Sequence, residues 1–209
     1  MAKIIFFGTP KFALPILKKI YNSKHEVLMV YTQPPKKSPR GQKINKTVIH
    51  EFSEKVSLNV KTPNDLVGEE TFLNKINFDI GIVVAYGKLI PKEILNLSKY
   101  GFINIHASLL PKYRGAAPIQ RSLINQDKET GISFMKIIEK LDSGPVCKKY
   151  KIAINKNENY KSLLARLSSL AEDNVIEIIE QIIENKIKFF EQNEHEASYA
   201  KKIKKSDGK

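Results

Sequence analysis

Two short, mainly apolar runs constrain this chain's fold most: Ile4-Ile5-Phe6-Phe7, and the β-branched run Ile-Gly-Ile-Val-Val that follows Asp79 within 79–84. A strand with one wet face alternates apolar and polar residues, whereas an unbroken apolar run must be covered on both faces. That condition is met in the interior of a parallel sheet flanked by helices. The first run leads into the turn Gly8-Thr9-Pro10. From Phe12 to Tyr21 the apolar residues Phe12, Ala13, Ile16, Leu17 and Ile20 recur at helical spacing, with Pro15 near the first turn. Residues 26–31 (EVLMVY) predict a second strand, so the chain opens with a β-α-β unit.

The rest extends this plan. The Pro-containing stretch 33–46 reads as a connection longer than usual, a type that is commonly functional. Helices are expected near 47–56 and 68–76, a short strand at 58–61, and a short helix from Pro91 to Leu97. Phe102 to Ile105 predicts another strand, ending in His106. The stretches 131–138 and 146–153, separated by Asp142-Ser143-Gly144-Pro145, favour an antiparallel pair at one side of the sheet. A long amphipathic helix is expected from about Tyr160 to Asn185, with Leu163, Leu167, Ala171, Val175, Ile178, Ile179 and Ile182 on its apolar stripe. The class is therefore α/β: a mostly parallel, doubly wound sheet with an antiparallel edge and a long C-terminal helix. Residues 1–188 are expected to form one domain and 189–209 a basic tail.

Composition narrows the partners. One cysteine, Cys147, excludes an intrachain disulfide and any cysteine-rich zinc site, which suits a cytoplasmic protein. No signal peptide or membrane-length apolar run is read, and no metal is expected. The net charge of +13 allows a polyanionic partner but also fits a Lys-rich soluble surface. The loop residues Lys36, Lys37, Arg40, Lys43 and Lys46, with no acid among 36–46, tip the balance towards nucleic acid.

Doubly wound sheets bind ligands outside the C-terminal ends of their strands, which places the chemistry near Gly8, Tyr86 and His106. Residues two apart on a strand share a face, so Asn104 and His106 project together. An amide and an imidazole so placed can stabilise a developing oxyanion, and the imidazole can also carry a proton. The same pair could equally satisfy loop backbone. Asp142 could orient His106, although Asp-Ser-Gly is also ordinary turn chemistry. Neither glycine-rich phosphate signature is present, so nucleotide binding at Gly8 is not expected. His25, His50 and His195 stand in charged surroundings and are expected to be solvated.

The run from Asn104 to Pro111 (NIHASLLP), continued by Tyr113-Arg114-Gly115-Ala116-Ala117-Pro118-Ile119-Gln120-Arg121, closely resembles the signature of the methionyl-tRNA formyltransferase family. Phe7-Gly8-Thr9-Pro10, Thr32-Gln33-Pro34, Ala85-Tyr86-Gly87 and Ser198 to Ile203 extend the resemblance over nearly the whole chain. It implies a Rossmann-like formyltransferase fold and 10-formyltetrahydrofolate as co-substrate. It implies catalytic roles for Asn104, His106 and Asp142, and folate contacts from Ser108, Leu109, Leu110, Pro111, Tyr86, Gly87 and Ile90. It further implies that Arg40, Lys36, Lys37 and Lys43 meet a charged initiator tRNA. No metal, membrane or protein partner is expected, and the protein is expected to be a monomer. Two positions depart from the pattern: Lys140 replaces a usual glycine, and Pro145 a common acidic residue. The family's enzymes also carry a C-terminal, tRNA-binding β-barrel, towards which 189–209 would lead. A sugar N-formyltransferase would share the three catalytic residues but not the basic loop. A non-catalytic nucleic-acid-binding module would leave the Asn104-to-Pro111 run unexplained.

Overall fold

The structure, a computed structural model, describes residues 1–37, 44–204 and 207. Its frame is a seven-stranded sheet in the order β5-β2-β1-β6-β7-β8-β9. The strands are β1 (Lys3–Gly8), β2 (Glu26–Tyr31), β5 (Val60–Lys61), β6 (Ile80–Val84), β7 (Phe102–His106), β8 (Glu129–Lys136) and β9 (Val146–Ala153). The first five run parallel, and β7–β8 and β8–β9 pair antiparallel. Two further strands, β3 (Lys36–Lys37) and β4 (Ile44–Asn45), form an antiparallel ribbon inside the stretch expected to be a plain loop. No alternating apolar pattern announces it, and Lys36, Ile44 and Asn45 are exposed.

Parity along the strands sorts the core into two layers. Ile4 and Phe6 of β1, Ile80, Ile82 and Val84 of β6, and Ile103 and Ile105 of β7 face one side. There they meet Ile16, Leu17 and Ile20 of α1 (Ala13–Tyr21) and the stripe Leu163, Leu167, Ala171, Val175 and Ile178 of α6 (Tyr160–Ile183). Ile5, Phe7, Tyr31, Val83 and Phe102 face the other side, with Leu73 of α3 (Glu69–Ile76) and Ile94 of α4 (Lys92–Leu95). Both-face burial is what the unbroken apolar runs required. The remaining helices are α2 (Val48–Lys55) and α5 (Pro118–Ile124). The second of these carries no long periodic stripe and was not anticipated. Pro at its first turn and Asn125 at its end bound it.

The start of α6 is set by a capping box, in which Asn159 Oδ1 accepts from Ser162 N at 3.0 Å and Ser162 Oγ from Asn159 N at 3.2 Å. One expectation fails at the other end of the chain. His25 is buried, and its Nδ1 accepts from Ala2 N at 3.1 Å. Burial lowers its pKa, so it is a neutral core group and not a solvated one. Its partner lies 23 residues away, across the β1–β2 pairing, where local charge gives no hint of it.

The chain runs outward through β2 and β5 and then returns to place β6 beside β1, so the winding reverses between β1 and β6. A crevice opens at such a reversal, beyond the C-terminal strand ends. Three loop motifs are stitched together there. Thr9 Oγ1 donates to Tyr86 O at 3.0 Å, and Gln33 Nε2 donates to the same carbonyl at 3.1 Å. Gly87 sits at φ +81°, a left-handed conformation that favours glycine, and a Cβ there would also push against the end of the Gln33 side chain, 2.5 Å away.

Candidate active site

Asn104 and His106 occupy alternate positions of β7, on the same face as Phe102, at the strand's C-terminal end. Their register on β8 is Met135 and Ser133. Ser133 Oγ braces the next turn, donating to Ser108 O at 2.7 Å and accepting from Leu110 N at 3.0 Å. Asp142 arrives from the β8–β9 connection. Its Oδ2 lies 3.7 Å from His106 Nδ1, and Asn104 Nδ2 lies 3.4 Å from its Oδ1. The structure therefore brings the three together, across 38 residues in the case of Asn104 and Asp142.

The contacts are unequal. Asp142 Oδ2 accepts firmly from Gly115 N at 2.8 Å, while its approaches to His106 and Asn104 are long. His106 Nε2 sits 2.8 Å from Tyr113 O. A carbonyl only accepts, so Nε2 carries the ring proton, and Nδ1 is the nitrogen left facing Asp142. Asn104 has two amide hydrogens, and among the described residues Nδ2 makes one hydrogen bond, to Asp142 Oδ1. Three polar groups thus converge with hydrogen-bonding capacity to spare, the condition under which a ligand oxygen can be received.

The folate candidates divide. The side chains of Ser108, Leu110, Pro111 and Tyr86 are buried, Leu109 and Ile90 are half-buried, and Gly87 is exposed. Ser108 Oγ donates to Lys112 O at 2.6 Å and so shapes the turn. Leu110 packs on Met135 and Val146. Tyr86, 1 % exposed, packs edge-on against Phe7, and its hydroxyl has no hydrogen-bond partner among the described residues. Burial pushes that hydroxyl up to about 12, so it stays protonated. Four of the seven therefore have buried side chains and Gly87 has none, so these five present backbone or shape. Lys36 is exposed on the ribbon, whereas Arg40 and Lys43 lie outside the described residues, as does the side chain of Lys37.

Sequence reasoning missed the residues that fasten Asp142. Arg114, fully buried, donates from Nε and Nη2 to Gln192 Oε1 at 3.0 and 2.9 Å, and pairs with Glu194. Gln192 Nε2 donates in turn to Asp142 O at 2.9 Å and Gly144 O at 2.8 Å. Gly144 tolerates no side chain, because a Cβ would collide with Lys136 O. Lys140, unusual on sequence grounds, reaches Glu194 at 2.8 Å. The only local signal for this segment is its polarity, which looks like an ordinary tail.

Arg114 first, and Lys140 next, hold the Glu194 carboxyl down at about 2 from an ordinary 4.5. The folded-state value lies below the unfolded one, so the contribution is complete above pH 4.5 and is lost as pH falls towards 2. Glu194 is half exposed, so salt screens the effect. The melting-temperature difference between wild type and Glu194→Gln is expected to be largest near neutrality and to shrink as pH falls from about 5 to about 3. A difference that is constant over that range in thermal melts would dissociate the ion pair from stability.

A family model described as formyl transferase matches residues 2–179. The chain belongs to that family. It is 54 % identical over 209 residues to a protein of Pelagibacter ubique named methionyl-tRNA formyltransferase, covering 99 % of this chain and 67 % of the relative. It is 46 % identical over 204 residues to a protein of that name from the Wolbachia of Drosophila simulans, covering 96 % and 67 %. The chain therefore spans about two thirds of these relatives' length. Among solved structures, an N-formyltransferase from Helicobacter canadensis, in complex with folinic acid and dTDP-3-aminofucose, superposes with TM-score 0.73 at 23 % identity, covering 96 % and 71 %. Glycinamide ribonucleotide transformylase 1 from Symbiobacterium toebii gives 0.72 at 16 %, covering 91 % and 95 %. These two likenesses establish the formyltransferase fold, Rossmann-like with a long C-terminal helix. Among the described residues, no helix is long and apolar enough to cross a membrane.

Proposed function

We propose that the chain transfers a formyl group from 10-formyltetrahydrofolate to the amino group of methionyl-tRNA. The observation that carries this reading is the meeting of Asn104, His106 and Asp142 at the C-terminal end of β7, with hydrogen-bonding capacity left over. The identities to proteins named methionyl-tRNA formyltransferase support the choice of acceptor.

The neutral amine attacks the formyl carbon, a C–N bond forms, and the carbonyl π electrons move onto oxygen. Asn104 Nδ2 donates its free hydrogen to that oxyanion, an interaction made mainly in the transition state. His106, with its proton on Nε2 held by Tyr113 O, accepts the amine proton at Nδ1 opposite the Asp142 carboxylate. The oxyanion collapses, the bond to the folate nitrogen breaks, and Nδ1 returns the proton to that nitrogen. Tetrahydrofolate and the formylated amine leave. His106 ends as it began, and the step calls for no covalent enzyme intermediate.

The basic stretch 36–46 supplies charge for RNA phosphates, and Arg40 is its one guanidinium. The test is the initial rate of formyl transfer against charged initiator tRNA at two ionic strengths, for wild type and Arg40→Ala, with nucleotide-linked amino sugars offered in parallel. The expected result is transfer to tRNA, a KM for tRNA that rises with salt and in Arg40→Ala, and unchanged folate dependence. Transfer to the amino sugar alone, with no salt effect, would transfer the assignment to sugar N-formylation.

A further inference from the structure

Asp142 adopts φ +44°, a left-handed conformation that is uncommon for non-glycine residues and that aspartate tolerates in turns. Its carboxylate is fixed from one side by Gly115 N. The backbone around it is held by a single side chain from a segment 50 residues further on. Gln192 uses its whole amide for this purpose. Both Nε2 hydrogens go to the carbonyls of Asp142 and Gly144, and both Oε1 acceptor positions go to buried Arg114.

The connections close a ring. Arg114 precedes Gly115, whose N–H binds the Asp142 carboxylate, and the Arg114 guanidinium binds the amide that binds the Asp142 backbone. Arg114 is itself pinned to the same distal segment, with Arg114 N donating to Ser198 O at 2.8 Å and Ala200 N donating to Arg114 O at 2.7 Å. A half-exposed pair such as Lys140–Glu194 adds little to this geometry, because water screens it. Gln192 is less exposed than its neighbours Glu191 and Asn193, and it joins the two loops that frame His106.

We propose that Gln192 is a positioning residue for formyl transfer: it holds the 142–144 loop so that the Asp142 carboxylate faces His106 and Asn104. This rests on the reading above, in which Asp142 acts through His106. Gln192→Glu is the informative change. It keeps the length and both acceptors for Arg114, yet it removes both donors and sets a carboxylate oxygen against two carbonyls.

The experiment measures steady-state kinetics with 10-formyltetrahydrofolate and charged initiator tRNA for wild type, Gln192→Glu, Asp142→Asn and the double variant. Thermal melts establish that each is folded, and Gln192→Met is carried alongside as a neutral variant that also lacks the donors. The expected result is a fall in kcat of about 10- to 100-fold for Gln192→Glu, the scale for misplacing a catalytic group, with both KM values within about threefold of wild type. The double variant is expected to be no slower than Asp142→Asn by more than about threefold, because Gln192 acts through Asp142. If Asp142→Asn is slow while both Gln192 variants keep wild-type kcat, the inference is overturned and the reading of the site stands. Multiplicative losses in the double variant overturn it too, since they mark a general structural role. If Asp142→Asn itself keeps wild-type kcat, the reading of Asp142 fails, and this inference fails with it.

Discussion

His106→Ala and Asn104→Ala are each expected to lower kcat by about 10²–10³, the scale for losing one preorganised oxyanion donor or its proton carrier. The argument is geometric. Both side chains project from one face of β7 at its C-terminal end, and each retains capacity towards the gap beside Asp142. Their action is concentrated in the transition state, so KM for 10-formyltetrahydrofolate is expected to move by less than about threefold. The fold should survive, because neither residue belongs to the apolar layers. His106 does accompany Tyr113 O, whose carbonyl would be left facing a small cavity in the alanine variant. His106→Gln, which can keep a donor near that carbonyl, separates the two effects: stability recovers while kcat stays low. Pre-steady-state formyl transfer measured for the three variants checks this. Near-normal turnover in either alanine variant would remove the proposed chemistry.

Ending the chain at Lys188 is expected to have the second largest effect. The stretch beyond it lies against the domain through its own backbone. Phe190 and Val146 exchange a pair of hydrogen bonds at 2.8 and 2.9 Å, and Arg114 and Ala117 bond to Ser198 and Ala200. Ala200 is fully buried. With Gln192 gone, the Asp142 carbonyl loses its donor, and Arg114 loses both acceptors. At about 1 kcal/mol net per hydrogen bond, and allowing for partial replacement by water, a loss of about 3 kcal/mol is reasonable. That corresponds to about 6–12 °C in melting temperature for a domain of this size. Formyl transfer is expected to fall at least about 100-fold, because the loop carrying Asp142 is released. A chain ending at Lys204 keeps every one of these bonds and serves as the control. Thermal melts and formyl-transfer rates on the two truncations decide the matter. Equal stability and activity would make residues 189–200 a dispensable tail.

The contrast between those two expectations follows the contrast between local and distant information in the chain. Periodicity is local, so it is legible. The both-face burial of Ile4 to Phe7 and Ile80 to Val84, the α1 and α6 stripes, and the antiparallel pair β8–β9 all follow from spacing, and all are in the structure. The shared face of Asn104 and His106 is legible for the same reason, since parity along a strand is a property of five consecutive residues. The short ribbon β3–β4 and helix α5 escaped because neither buries a repeating stripe.

The pairing of polar groups is different, because it depends on which segments the fold brings near. Nothing near Asp142 distinguishes a turn aspartate from one that meets His106, and nothing near Gln192 suggests that its amide is fully used 50 and 78 residues away. The inward turn of Tyr86 and Leu110, both expected at the ligand surface, was likewise settled by neighbours distant in sequence: Phe7 in one case, Met135 and Val146 in the other. By itself, then, the sequence determined the sheet, its two apolar layers and the residue types at the end of β7. The family resemblance named Asp142 as their partner, but only the tertiary structure brings that carboxylate to them and decides what holds it there. A buried or half-buried polar group must find partners wherever the packed chain supplies them, and no local pattern encodes that address.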